Sequence, residues 1–146
     1  MEFHAAIIKT IDEIQLGDVA FYARTVNEAN IMMFAQLTGD YAPHHVSKVF
    51  GDSTLFKSRI AHGMITVGLI GPVLYKLCGD ASMTKYQNIR FRSAVIMGET
   101  VDIRGEVVDI DRENELVTID VVCEKHGRKE NERPYITAVF KQSLKL

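Results

Sequence analysis

The sequence predicts an α+β layer fold in which an antiparallel sheet curls round one strongly apolar helix. Three observations predict it. Residues 62–78 are the most apolar stretch of the chain. Four stretches of the second half, residues 86–96, 100–110, 115–124 and 135–144, read as strands separated by polar turns. The chain has 146 residues, 47% of them hydrophobic and 25% charged, which suits a single domain with a substantial core.

Taken in order, Leu16-Gly-Asp18 reads as a turn and residues 19–24 as a short strand. Thr25 and Glu28 have the spacing of a capping box, with Asn27 as a rival N-cap one step inside. The helix that follows, residues 26–37, places Val26, Ala29, Met33 and Leu37 on one side, expected to face the core. Met32 and Phe34 are read as core as well. Gly39 ends the helix where the backbone must turn left-handed.

Residues 40–60 lose all long periodicity, since Pro43, Gly51 and several Asp and Ser residues interrupt it. A loop is expected, with helical turns near 47–50 and 54–57. A connection this long in a small domain generally has a job. Residues 62–78 then form the buried helix. Gly68 and Gly71 leave room there for another backbone or a ligand, and Pro72 predicts a kink halfway along. In the strands, Val101, Ile103 and Val107 alternate with polar residues, as do Val117, Ile119, Val121 and Cys123. Such strands are half-buried, with one apolar face.

Composition excludes several classes of function. A net charge of −2 provides no positive field to recruit nucleic acid. The apolar segment is too short and too rich in glycine to span a membrane. Cys78 and Cys123 show no paired spacing and are expected to be buried thiols in a reducing compartment. The first residues lack a basic region leading into an apolar one, so a cytoplasmic location is expected. No His, Cys and Asp spacing reads as a metal site.

Two short motifs carry chemistry: Gly39-Asp-Tyr-Ala-Pro-His-His45 and Ile60-Ala-His-Gly-Met64. The first sets Asp40 and His45 five residues apart around a proline. A carboxylate and an imidazole together hold one water between an acceptor and a donor, the minimum for adding water to an activated double bond. The second sets Gly63 at the start of the buried helix. Unpaired backbone N–H groups there stabilise a carbonyl oxygen that gains negative charge.

These residues resemble the MaoC-like dehydratases, which include the (R)-specific enoyl-CoA hydratases with a hot-dog fold. The family signature reads roughly aromatic-Ala-x-Leu-Thr/Ser-Gly-Asp-x-Asn-Pro-x-His, and Phe34-Ala-Gln-Leu-Thr-Gly-Asp40-Tyr-Ala-Pro-His-His45 follows it. The likeness runs on through Phe50, Thr54, Phe56 and Ile60 to His62-Gly-Met64. It is fainter over Asn88-Ile-Arg-Phe91 and Gly98-Glu-Thr100.

The resemblance implies a hot-dog domain over residues 1–146 with an overhanging segment that carries the site. It implies that Asp40 and His45 are the catalytic pair and that the Gly63 N–H polarises a thioester carbonyl. It further implies a pocket near Tyr41, Ala42 and His62, with Val67, Gly71 and Leu74 along the acyl chain. The substrate would be a trans-2-enoyl thioester of coenzyme A or of an acyl carrier protein. No cofactor is implied beyond the coenzyme A of the substrate itself, and the working unit would be a homodimer or larger, with sheets side by side.

Two positions depart from the signature. Ala42 stands where the family has asparagine, and Ser47 where an aspartate often follows the histidine. The same fold also supports thioester hydrolysis and non-catalytic thioester binding.

The plainer readings are these. Asp40 alone is a turn former behind a glycine-capped helix, but Pro43 and His45 at family spacing favour the reactive role. His62 reads chiefly as a capping or packing residue, His44 has no catalytic role, and His4 and His126 are exposed. Arg90, Arg92 and Arg104 are strand positions in solvent. Arginine suits the phosphates of coenzyme A, but the sequence selects none of the three.

Overall fold

The computed structural model describes residues 6–145, so His4 lies outside the described residues. After a single 3-10 turn at Ile11–Glu13, the elements follow in chain order. They are β1 (Val19–Thr25), α1 (Glu28–Thr38), α2 (Pro43–Val46), α3 (Lys48–Ser53), α4 (Gly63–Gly68) and α5 (Gly71–Cys78). Four strands complete the chain: β2 (Met83–Phe91), β3 (Thr100–Asp111), β4 (Leu116–Lys125) and β5 (Ile136–Ser143). All neighbours in the sheet are antiparallel, in the order β1-β3-β4-β5-β2. This is the α+β architecture expected of a hot-dog fold.

The alternating side chains of β3 and β4 make the core, as their pattern requires. Register pairs Ile103 with Cys123 and Val107 with Ile119, and Ile119 in turn with Phe140 on β5. All of these are buried. Against this face lie Val73, Leu74, Leu77 and Cys78 of α5. Burying each such aliphatic side chain contributes about 1.5–3 kcal/mol. Gly105 lets the helix approach: a Cβ there would collide with Val73 and touch Leu77 at 3.4 Å. Cys78 and Cys123 are free and buried, and burial pushes their thiols up to about 11 and about 12.

The structure corrects the sequence reading at several points. Asn27, the rival N-cap, starts α1, accepting from the Asn30 N–H at 3.0 Å while Asn30 Oδ1 accepts from the Asn27 N–H. The buried face of α1 is Ile31 and Ala35, whereas Met33 and Leu37 are 65% and 81% exposed. Apolar residues occur on both sides of this helix, so spacing alone could not choose the side.

The single helix expected over 62–78 is two helices, α4 and α5. Pro72 has no N–H to give to Gly68, and the chain tightens there into short bonds from Ile70 to Val67 and from Val73 to Ile70. One side of this segment is buried, while Met64 and Tyr75 are about half exposed. A Cβ at Gly68 or Gly71 would meet nothing within 4 Å, so no backbone approaches either glycine. Residues 54–57 form a turn rather than a helix, and α2, which the sequence reading left as loop, precedes α3.

The strand expected over 86–96 starts earlier, at Met83, and ends at Phe91. Beyond it, Ile96 bridges to Ile60, and the Ala61 N–H donates to the Val95 carbonyl at 2.8 Å. This bridge ties the irregular segment carrying both motifs to the sheet.

Candidate active site

The site begins where α1 stops. Gly39 adopts φ +78°, with its N–H on the Ala35 carbonyl, and this left-handed turn delivers Asp40. The Asp40 Oδ1 accepts from the Ala42 N–H at 3.2 Å. The Asp40 carbonyl accepts from His62 Nε2 at 2.9 Å. Its remaining carboxylate oxygen, Oδ2, stands 4.0 Å from His45 Nε2.

Pro43 opens α2, where its fixed φ suits a first helical turn and its missing N–H costs nothing. That turn carries His45 inward, to 7% exposure. His45 Nδ1 lies 2.8 Å from the Ile60 carbonyl. A carbonyl only accepts, so Nδ1 holds the proton and Nε2 of the neutral ring presents a bare lone pair toward Asp40. Burial holds the His45 pKa below its ordinary value. The Ile60 bond opposes this, the charges of His62 and His44 reinforce it, and the Asp40 carboxylate opposes it last. The sequence reading made the imidazole a donor to water, whereas this tautomer makes it a second acceptor.

His62 packs under the pair. Its ring stacks on His45 with centroids 3.8 Å apart and planes at 25°, and Phe34 covers its other side at 4.9 Å. With Nε2–H committed to the Asp40 carbonyl, its buried Nδ1 has no partner among the described residues. Asp40, His45 and His62 place potential ligand atoms within 4.8 Å of one another.

His62 is also the residue before α4, so Gly63 occupies its first position, where the N–H has no helical partner. A side chain is impossible here without displacing Phe91, whose ring would lie 2.7 Å from a Cβ on Gly63. His45 and Gly63 line one cavity of about 450 Å³, together with His44, Thr66, Phe91, Arg92 and Tyr135. Asp40 joins it through His45, its own side chain half exposed. A larger cleft of about 780 Å³, lined by Phe21, Lys76, Arg104 and Glu124 among others, contains no residue of either motif.

The structure therefore brings Asp40, Ala42, His45, His62 and Gly63 together. Tyr41 is half exposed on the loop, Val67 and Leu74 are buried in the core, and Gly71 is open to solvent. None of these four lines the 450 Å³ cavity. Sequence reasoning missed Thr66, Phe91 and Tyr135 as lining residues. Thr66 had one usable signal, as the lone aliphatic hydroxyl in the apolar segment 62–78. Tyr135 had none, because only the sheet brings it close.

Ala42 and Ser47 fall at helix starts. Ala42 is the residue before α2 and provides no side-chain cap. Ser47 caps α3 by accepting from the Phe50 N–H at 3.3 Å, the task an aspartate there would also perform.

A five-stranded antiparallel sheet tied to an irregular segment that carries an Asp/His pair defines the class to be compared. The profile of the family described as "MaoC like domain" matches residues 15–127, and the chain belongs to that family. It is 34% identical over 123 residues to an (R)-specific enoyl-CoA hydratase of Rhodospirillum rubrum, covering 84% of this chain and 85% of the relative. It is 31% identical over 113 residues to a 3-hydroxybutyryl-CoA dehydratase of Methylorubrum extorquens, covering 77% and 72%. Among solved structures, the unliganded R-hydratase of Pseudomonas aeruginosa matches with a TM-score of 0.83 at 23% identity, covering 94% of this chain and 85% of that one. The latter likeness concerns the fold.

Proposed function

We propose that this protein interconverts trans-2-enoyl and (R)-3-hydroxyacyl thioesters, with coenzyme A as the carrier. The carrying observation is the pair of acceptors, the Asp40 carboxylate and the bare Nε2 of His45, 4.0 Å apart. A water donating one hydrogen to each, from about 2.8 Å, spans such a gap and keeps a lone pair free for C3 of the enoyl group. As the oxygen bonds to C3, one of the pair takes the water's proton and the 2,3 double bond shifts toward the thioester oxygen. The Gly63 N–H stabilises that enolate. The group that took the proton then returns it to C2, which completes the addition and restores the pair, and dehydration retraces the same steps. The names of the relatives at 34% and 31% identity support this reaction and this carrier.

No cofactor takes part in this scheme, since coenzyme A belongs to the substrate. The enzyme works in the cytoplasm as a homodimer, a reading that β2 supports. It is an edge strand of nine residues, exposed throughout except at Ile89, with one side unpaired among the described residues. No described helix is long and apolar enough to cross a membrane.

The test is hydration of crotonyl-CoA, followed by loss of enoyl-thioester absorbance and by chirality of the product. Turnover to the (R)-alcohol is expected, falling by about 10²–10⁴ in Asp40→Asn and His45→Gln. Release of free thiol instead would make the protein a thioesterase. Tight thioester binding without turnover would make it a non-catalytic subunit.

A further inference from the structure

Thr66 is a buried polar residue that no contact within the fold accounts for. It is 1% exposed, and it lines the cavity of about 450 Å³ together with His45 and Gly63. Threonines elsewhere in the helical segment turn their hydroxyls back on the chain. Thr38 Oγ1 donates to the Phe34 carbonyl at 2.8 Å, and Thr54 Oγ1 to the Gly51 carbonyl at 2.7 Å. The Thr66 hydroxyl makes no such bond, nor any other hydrogen bond among the described residues. The buried Nδ1 of His62, one turn before it, is also without a partner there. Burying a hydroxyl with no bond is unfavourable, so such a group calls for a ligand.

The other buried polar groups that line the cavity are occupied as donors. His45 Nδ1 gives its proton to the Ile60 carbonyl at 2.8 Å, and the Tyr135 hydroxyl donates to Glu99 Oε2 at 2.5 Å. His45 Nε2 remains, but as an acceptor. Among the lining residues, Thr66 is thus the one buried side chain with a proton to give. Its position aims that proton. Gly63 and Thr66 are the first and fourth residues of α4, and residues three apart share a helix face. Helical side chains also lean toward the N-terminus. The Thr66 hydroxyl therefore projects over the first turn of α4, toward the end where the Gly63 N–H is free.

We infer that the Thr66 hydroxyl is a second donor to the thioester carbonyl oxygen, beside the Gly63 N–H. The inference rests on the proposed hydration and adds a residue to it. A carbonyl oxygen has two lone pairs and accepts two hydrogen bonds, of which Gly63 provides one. The oxygen that adds to C3 is held elsewhere, by the acceptors of Asp40 and His45, and this leaves the carbonyl as the acceptor for Thr66. When the double bond shifts toward that oxygen its charge grows, and both bonds strengthen together. The hydroxyl thereby favours the enolate over the ground state. Because it is unpartnered beforehand, no internal bond has to break for it to act.

Two variants test the donor: Thr66→Val keeps the shape and removes the hydroxyl, while Thr66→Ser keeps the hydroxyl. With crotonyl-CoA, Thr66→Val should lower kcat by about 10² and change KM by less than about twofold. Thr66→Ser should recover most of the rate. The melting temperature of Thr66→Val should be equal or higher, since a methyl replaces a buried hydroxyl that had no partner. A lower one would assign the hydroxyl to an internal bond, with His62 Nδ1 as the nearest acceptor in sequence, and would overturn the inference. A further readout needs no turnover. The infrared stretch of butyryl-CoA labelled with carbon-13 at the thioester carbonyl should fall in frequency on the wild type and move back toward the free value on Thr66→Val. Crotonyl-CoA turnover with the same stretch on both proteins would overturn the inference alone. A stretch that depends on Thr66 without any turnover would sink the proposed reaction and keep the donor. Failure of the wild type to bind butyryl-CoA would overturn both.

Discussion

At the scale of single residues, the tautomer of His45 has the widest consequences. The Ile60 carbonyl fixes the proton on Nδ1, so the proposed reaction requires a neutral ring with Nε2 free. Burial lowers its pKa below 6.5, and the base is lost as pH falls through that depressed value. The acid limb of kcat/KM is therefore expected to be centred below pH 6.5, and a limb centred above it would contradict the assignment. Stability follows the same sign. Below pH 6.5 the unfolded chain takes up the proton before the native ring does, so His45 makes the fold less stable on acidification. His62 touches both members of the pair: its ring stacks on His45 and its Nε2–H donates to the Asp40 carbonyl.

At the scale of elements, short helices set the site, and their ends are where substitutions should be felt. Asn at position 42 would cap α2, which has no side-chain cap at present. Ala42→Asn is expected to stabilise the protein by about 1 kcal/mol, raising Tm by about 3 °C. An unchanged or lower melting temperature would show that the side chain cannot reach the α2 amides. Asp40 keeps its own tether in either case, because that bond comes from the backbone N–H of residue 42.

The seam between α5 and the sheet has the opposite sensitivity. Gly105→Ala drives a methyl into Val73, and overpacking of this kind costs about 1–3 kcal/mol. Urea denaturation should report the loss with the slope of the transition unchanged.

At the scale of the whole molecule, the sheet ends in an exposed strand, β2, at the corner that holds Phe91 and Arg92. A second copy pairing along this edge would satisfy its free backbone groups and extend the sheet. Light scattering is expected to give twice the chain mass of 16.4 kDa. The mass of one chain at assay concentration would rule the dimer out.

Periodicity, punctuation and motif spacing in the sequence were enough for the α+β class and all four strands of the second half, and they put forward Asp40 and His45, whose side chains the fold holds 4.0 Å apart. Alternation along β3 and β4 is a local property and survives folding, as does the glycine that ends α1. The tertiary structure decided what local patterns cannot. It chose the Ile31/Ala35 side of α1 over the Met33/Leu37 side, because both are apolar and only packing tells them apart. It stopped β2 at Phe91, because Ile60 and Ala61 claim residues 95 and 96. It also gave His45 its tautomer, since a carbonyl 15 positions away leaves no mark on sequence spacing.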